Sequence, residues 1–425
     1  MSESYSAPKH YDRRTQTTRL SGILHHSMCD LFLANWNRIN NSFGQAQCSS
    51  KDNEYRYLIN KIATRANIQN SFKKNLDEFG GENVGAVFPC TPIAKSDTVP
   101  TSVHQLRPGD IKIVAALGDS LTAGMGITAK NIFSVLTEDR GLVFSIGGDG
   151  TFEEYVTLPN ILKRYNPNIT GYSIKTGGIE SANSRFNLAE SGNVFSDLTD
   201  EATMLITRIQ ADINIDINND WKLITILIGD NDLCKYCNND GHEAERYKAM
   251  LEKTLRLLQA NLPRTIVNLV EVLNVEIAKD LNKGLACSIV HYALCPCAAF
   301  PKTAQDEADL RNLTNIYQQV VKGIATSGQF DTKDDFTVVD QPFFRNTYLP
   351  VKDGTDEPDF SFFSPDCFHL SEKGHSTAAT ALWNNMFQPV GKKDLNWKTG
   401  NSITCPTEQQ PYIYTSKNSG GKKPN

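Results

Sequence analysis

The chain has 425 residues, of which 40% are hydrophobic and 21% are charged. These proportions indicate a folded soluble protein that is long enough for one large α/β domain with extensions. The formal net charge of −5 excludes a broadly basic surface, so we expect no nucleic-acid partner. No apolar run reaches the roughly 18 residues that a transmembrane helix requires, so we predict no membrane anchor in this chain.

The first part of the chain reads as an extension. Residues 1–54 are polar and have little periodicity, and the first 20 lack the apolar core of a signal peptide. Helical spacing of apolar residues predicts a helix over 55–79. Residues 88–108 contain four prolines and read as an extended linker held by Cys90.

The domain itself is predicted to occupy residues 55–400, with its core starting at about residue 111. Short apolar runs predict buried strands at 111–117, 142–146, 171–175, 222–228, 265–272 and 336–340. Helical patterns lie between them, at 243–262, 306–323 and 376–387. Strands that alternate with helices favour an α/β fold, with a mainly parallel sheet covered by helices on both faces. Residues 401–425 read as a tail tied to the domain by Cys405.

The chain contains ten cysteines, a high and even number. Zinc would need four ligands at suitable spacing, and no His-x-x-x-His partner accompanies the cysteines, so disulfides are favoured. We expect Cys234 and Cys237 to form a disulfide and not a metal or redox centre. Disulfides and three Asn-x-Ser/Thr sequons, at Asn40, Asn168 and Asn312, are compatible with a secreted glycoprotein.

Ser120 lies directly after the first predicted strand of the core. Nucleophiles in parallel α/β sheets lie at the carboxyl ends of strands, but a serine hydroxyl also needs a base. His369 is the candidate base, because Asp366 lies three residues earlier and can fix the imidazole tautomer. His375 precedes a predicted helix and reads as structural. The remaining histidines lie in predicted loops, extensions or a buried segment: His10, His25, His26, His104, His242 and His291.

The candidate oxyanion donors are the backbone N–H groups of Ser120 and Gly192 and the side-chain amide of Asn231. Asn231 follows another predicted strand, although such a residue can also serve only as a helix cap. Gly192 can equally be present for backbone reasons alone. Asp119 and Asp232 read as structural residues that bind loop N–H groups.

In chain order, Gly118-Asp119-Ser120-Leu121, Gly192, Gly229-x-Asn231-Asp232 and Asp366-x-x-His369 resemble the four motif blocks of the GDSL/SGNH hydrolases. The resemblance implies a flavodoxin-like three-layer α/β/α sandwich. It also implies a catalytic set of Ser120, Asp366 and His369, an oxyanion hole of Ser120, Gly192 and Asn231, and no cofactor or metal.

Longer runs, such as 100–110, 115–124 and 145–150, resemble the membrane-associated animal type of phospholipase B. This resemblance covers about residues 55–415 and implies an extracellular acylhydrolase that acts on phospholipids and lysophospholipids at a membrane or micelle surface, here as a monomer. One departure is Asp230, where the family often has Gly. We expect Asp230 to lower activity if its charge points towards the oxyanion.

Two other functions fit the same motifs. A carboxylesterase of this fold would act on short-chain or sugar esters, because the pocket and not the motif sets the substrate. A non-catalytic lipid-binding relative would keep the fold without the reaction, and Asp230 is the motif-level sign of it.

Overall fold

The computed structural model describes residues 78–82, 85–132, 134–238, 241–398 and 400–420. The extension over 1–54, nearly all of the predicted helix over 55–79, and the cysteines Cys29 and Cys48 lie outside these residues.

Four parallel strands form the central sheet, in the order β1-β2-β3-β4. Their bounds are Ile111–Gly118 (β1), Trp221–Leu227 (β2), Thr265–Val270 (β3) and Phe336–Gln341 (β4). The predicted strands at these four places are confirmed. Nearly every residue in them is buried, which is why each reads as an uninterrupted apolar run instead of an alternating one.

The helices are numbered in chain order. They are α1 Ser120–Ala123, α2 Leu158–Lys163, α3 Leu198–Ala211, α4 Asp230–Lys235, α5 Ala244–Asn261, α6 Ile277–Asp280, α7 Gly284–Leu294, α8 Pro296–Ala299, α9 Ala304–Thr326 and α10 Glu372–Met386. Short 3₁₀ segments occur at Val103–Gln105, Pro108–Asp110, Ser134–Leu136, Arg140–Leu142, Phe195–Asp197 and Phe360–Phe362. The predicted helices over 243–262, 306–323 and 376–387 correspond to α5, α9 and α10.

Helices cover both faces of the sheet. Apolar side chains of α3, α5 and α9 join one core cluster with alternate residues of the strands, such as Val267 and Leu269 in β3. Asn268 lies between those two residues and therefore faces the other side, where its amide contacts the sulfur of Met386 in α10. On that side Trp383 of α10 stacks on Tyr165, which follows α2, at 5.5 Å between ring centroids. The three-layer α/β/α sandwich is confirmed.

Two predicted strands are wrong. Residues 142–146 comprise the end of a 3₁₀ segment and a hydrogen-bonded turn, because the N–H groups of Ile146 and Gly147 both bond back to Val143 O. The segment 171–175 makes only an isolated bridge at Ser173. Gly171 has a φ of +93°, which turns the chain away from β1 after Thr170 has paired with its edge.

Four disulfides lie within the described residues: Cys90–Cys405, Cys234–Cys295, Cys237–Cys297 and Cys287–Cys367. The predicted bond between Cys234 and Cys237 is wrong. Cys234 lies in the last turn of α4 and Cys237 two residues after its end, and each is paired instead with a cysteine at the α7–α8 junction. The Cα atoms of these pairs are 4.2 Å and 5.7 Å apart, close to the usual separation across a disulfide.

Within the described residues, no helix combines the length and apolar character that crossing a membrane requires.

The backbone at Gly171 lies against the edge strand β1, and a substitution at Gly171 tests how tight this contact is. A Cβ atom at this position would collide with the carbonyl oxygen of Val114 and lie 2.7 Å from Cδ2 of Phe186. Gly328 also has a positive φ, +76°, but a Cβ there would meet nothing within 4 Å. We expect Gly328→Ala to cost about 1 to 2 kcal/mol of unfolding free energy from backbone strain alone. Gly171→Ala should cost a further 1 to 3 kcal/mol, roughly the usual penalty of overpacking.

Urea denaturation of the two variants measures the difference. Equal losses for Gly171→Ala and Gly328→Ala would show that the contact with β1 relaxes without cost.

Candidate active site

Ser120 is the first residue of α1, at the carboxyl end of β1. The preceding residue, Asp119, caps this short helix by accepting the N–H of Leu121 at 3.0 Å. The helix ends at once because Gly124, at a φ of +86°, follows it. This tight strand–turn–helix leaves the Ser120 hydroxyl 2.7 Å from Nε2 of His369.

The imidazole of His369 is held by Asp366. Its Nδ1 lies 2.5 Å from Oδ2 of Asp366, and the other carboxylate oxygen accepts the N–H groups of Phe368 and His369 at 3.0 Å each. Burial raises the pKa of Asp366, but the charge of His369 and these hydrogen bonds outweigh it, so the pKa is lowered. An ionised Asp366 requires the proton on Nδ1, which leaves the Nε2 lone pair to accept the Ser120 hydroxyl.

The loop between Asp366 and His369 is fixed from α7. Cys367 has a φ of +64°, a conformation that a residue with a side chain rarely adopts. It is bonded to Cys287 of α7, and its carbonyl oxygen accepts from Nε2 of His291 at 2.8 Å. Cys287 and His291 are four residues apart, so one face of α7 makes both contacts.

The loops that carry Gly192 and Asn231 meet next to each other. The Asn231 amide is in the first turn of α4 and donates to the carbonyl of Asn193 at 2.9 Å. Gly192 has a φ of +88°, and both Gly192 and Asn231 are half-buried. Ser120 and His369 are only 6% and 2% exposed, so they are more deeply buried than Gly192 and Asn231.

Glu201 of α3 links the end of β1, just before Ser120, to the loop that follows Gly192, a link that the sequence reasoning missed. One carboxylate oxygen accepts the N–H of Gly118 at 2.7 Å, and the other accepts the side-chain amide of Asn193 at 2.7 Å. Burial raises the pKa of Glu201 to about 8 despite these two bonds. The available signal was its place in the apolar stripe of α3, three residues after Leu198 and four before Leu205.

The buried acids Asp119, Asp230 and Asp232 accept hydrogen bonds from backbone N–H groups. Asp230 points to the loop after β3 and accepts the N–H of Leu273 at 2.9 Å. Burial, followed by the charge of Asp119, raises the pKa of Asp230 well above its usual value. Burial and the neighbouring carboxylate thus both disfavour the charged form of Asp230 beside Asn231. Burial also raises the pKa of Asp119, to about 6.

Asp232 connects α4, which carries Asn231, to the loop that follows Gly192. Its carboxylate accepts the N–H of Phe195 at 3.0 Å and contacts Nδ1 of His242 at 2.9 Å. Burial raises the pKa of Asp232, and the bond to His242 opposes this shift.

The other described histidines are structural in their contacts. His375 is fully buried in α10, and its Nδ1 accepts the N–H of Phe144 at 3.2 Å. His104 contacts the hydroxyl of Thr415 at 2.8 Å, which ties the tail to the domain. No cluster of three or more His, Cys, Asp or Glu side chains among the described residues could hold a metal ion, and His10, His25 and His26 lie outside them.

The burial of His375 predicts how the stability of the fold depends on pH. Burial and the charge of His369 lower its pKa from 6.5 to about 3. Between these values the unfolded chain binds a proton that the folded chain does not, so His375 weakens the fold as pH falls from 6.5 towards 3. We expect His375→Gln to reduce the slope of unfolding free energy against pH by about 1.4 kcal/mol per pH unit in that window. Chemical denaturation at several pH values measures it, and an unchanged slope contradicts the assignment.

The two hydrogen bonds of Glu201 predict a loss of unfolding free energy when its carboxylate is removed. Glu201→Leu leaves the Gly118 N–H and the Asn193 amide without their acceptor, at about 1 to 3 kcal/mol each. Glu201→Gln keeps one oxygen acceptor and should lose about half as much unfolding free energy. Equal stability of Glu201→Leu and the wild type in urea denaturation would show that these two hydrogen bonds do not stabilise the fold.

Comparison with known proteins identifies the family. The model of the GDSL-like lipase/acylhydrolase family matches residues 114–382. Membrane-associated phospholipase B1 from Mus musculus is 43% identical over 349 residues, which is 80% of this chain and 24% of that protein. The protein of that name from Homo sapiens is 44% identical over 344 residues, 79% of this chain and 24% of that protein. The chain thus spans about a quarter of the length of these relatives.

Among solved structures, an acetyl-xylooligosaccharide esterase from Geobacillus is 17% identical and covers 63% of this chain and 90% of its own, with a TM-score of 0.31. That similarity is too low to support a conclusion. The family match spans most of the chain and includes all four motif blocks. The chain belongs to the GDSL-like lipase/acylhydrolase family.

Proposed function

We propose that this protein is a serine acylhydrolase that cleaves fatty-acyl esters of phospholipids and lysophospholipids through an acyl-enzyme on Ser120. The observation that carries the proposal is the hydrogen-bonded series from Ser120 to His369 to Asp366, at 2.7 Å and 2.5 Å. Such a series activates a serine hydroxyl for attack on a carbonyl carbon.

In the first half-reaction, the Ser120 oxygen attacks the ester carbonyl while Nε2 of His369 takes its proton. The ionised Asp366 stabilises the imidazolium that forms. The tetrahedral intermediate then collapses, and His369 gives the proton to the departing alcohol oxygen of the glycerol backbone. The fatty-acyl group remains on Ser120.

The negative oxygen of the tetrahedral intermediate needs preorganised donors. The proposed donors are the backbone N–H groups of Ser120 and Gly192 and the amide of Asn231. One hydrogen of that amide is used by Asn193 O, which orients the group and leaves the second hydrogen for the oxyanion. Removing one such donor typically costs about a hundredfold in rate.

In the second half-reaction, water replaces the alcohol. His369 takes a proton from the water, the hydroxide attacks the acyl carbon, and the proton returns to the Ser120 oxygen as the fatty acid leaves. The steps balance without any cofactor.

The phospholipid substrate is supported by the two relatives named as phospholipases, each of which aligns with about four-fifths of this chain. Phospholipids form aggregates in water, so a monomeric enzyme that binds a membrane or micelle transiently fits this substrate.

An extracellular location is part of the proposal. Disulfides persist in oxidising compartments, and four of them hold this domain together. Two of the three sequon asparagines, Asn168 and Asn312, are exposed and are available for glycosylation.

The central test is Ser120→Ala. We expect this variant to lose fatty-acid release from phosphatidylcholine and labelling by a fluorophosphonate, because the nucleophilic oxygen is gone, while its thermal unfolding temperature stays near that of the wild type. Ser327→Ala is the matched control. Its hydroxyl is also hydrogen-bonded within the domain, to Ile324 O at 2.8 Å, and it should keep full activity.

Retained fatty-acid release in Ser120→Ala would refute the mechanism. A wild type that hydrolyses nitrophenyl acetate rapidly but long-chain esters and phosphatidylcholine slowly would refute the substrate class and favour a short-chain carboxylesterase. A folded wild type that no fluorophosphonate labels would favour a non-catalytic relative.

A further inference from the structure

The helices α7 and α8 are joined covalently to both sides of the candidate active site. Cys295 and Cys297, at the junction of these helices, are bonded to Cys234 and Cys237, which come shortly after the donor Asn231. Cys287 of α7 is bonded to Cys367, two residues before His369. The segment 284–300 therefore extends from the oxyanion side of the site to the base side.

This segment carries no charged side chain, and most of its described side chains are buried. No Asp, Glu, Lys or Arg occurs between Lys283 and Lys302. Tyr292 is nevertheless 42% exposed and Phe300 is 38% exposed, with their ring centroids 6.3 Å apart. Adjacent exposed aromatic rings on an uncharged surface commonly mark an interaction site.

Helix α7 also packs against the loop that carries the proposed catalytic base. The ring of Phe368 is half-buried and lies 5.2 Å from the ring of His369. The ring of His291 in α7, the residue that precedes Tyr292, lies 6.3 Å from the same Phe368 ring. The helix that carries Tyr292 is therefore a direct neighbour of the site.

We propose that the exposed surface of α7 and α8 around Tyr292 and Phe300 is the surface by which this protein contacts a phospholipid aggregate and receives the acyl chains of its substrate. This inference rests on the proposed function and adds the place where lipid binds.

The chemistry of the surface favours lipid as the occupant. Tyrosine and phenylalanine at the edge of an apolar surface suit the boundary between acyl chains and head groups. Lys283 and Lys302 are exposed at the two ends of the uncharged stretch, where their ammonium groups can meet phosphates while the aromatic rings enter the acyl region. The disulfides join this segment covalently to the parts of the chain that carry Asn231 and His369, so a lipid bound there lies on an element fixed to the site.

The test compares two double variants of the full chain. Tyr292→Ser with Phe300→Ser removes both rings from the proposed surface. Ile316→Ser with Tyr348→Ser is the matched control, because these side chains are 40% and 43% exposed and lie outside the segment. Each pair is made with Ser120→Ala, so that lipid is not consumed, and co-sedimentation with phosphatidylcholine vesicles measures binding.

We expect the Tyr292/Phe300 pair to lower the vesicle partition coefficient about tenfold, and the control pair to change it less than twofold. With Ser120 intact, hydrolysis of vesicle phosphatidylcholine should fall by about the same factor, while hydrolysis of soluble nitrophenyl acetate stays unchanged.

Unchanged vesicle binding, or equal loss in the control pair, overturns the proposal. So does a loss of self-association in sedimentation velocity with vesicle binding intact, since the surface would then join two protein copies. Failure of the proposed function has a different signature: the wild type binds vesicles through this surface but releases no fatty acid from them.

Discussion

The hydrogen bond between Asp366 and His369 joins two buried side chains. Most of the local structure of the site supplies hydrogen-bond partners to this buried pair. A buried carboxylate is tolerated only with donors around it, and the N–H groups of Phe368 and His369 supply them. Those donors converge only if the loop bends at Cys367, at a φ of +64°. The bend in turn is held by the contacts of Cys367 with α7.

The sheet could be predicted from the sequence because its strands are buried on both faces. An apolar run such as 222–228 has few alternatives in a chain of this composition. The same reasoning failed at 142–146 and 171–175, since apolar content does not report where backbone hydrogen bonds go. At Gly171 the deciding factor is a contact with β1, 57 positions earlier in the chain at Val114, and no local pattern encodes it.

The ordered motifs predicted which residues meet, and the structure brings Ser120, Asp366 and His369 into one hydrogen-bonded series. The sequence did not reveal the role of Glu201, because an acidic residue in an amphipathic helix normally faces water. Its buried carboxylate has hydrogen-bond partners because Gly118 and Asn193 approach it. The pKa of Asp230 is a similar case, because it is raised by burial and by the charge of Asp119, neither of which a motif specifies.

The disulfides around α7 and α8 join cysteines that are 60 to 80 positions apart in the chain. During synthesis, Cys234 and Cys237 emerge together, long before their partners at 295 and 297. Any bond that they form in that interval, with each other or with a cysteine that precedes them, has to be exchanged before the final pairing is reached. These long-range pairs therefore make maturation of the domain sensitive to disulfide exchange as well as to oxidation.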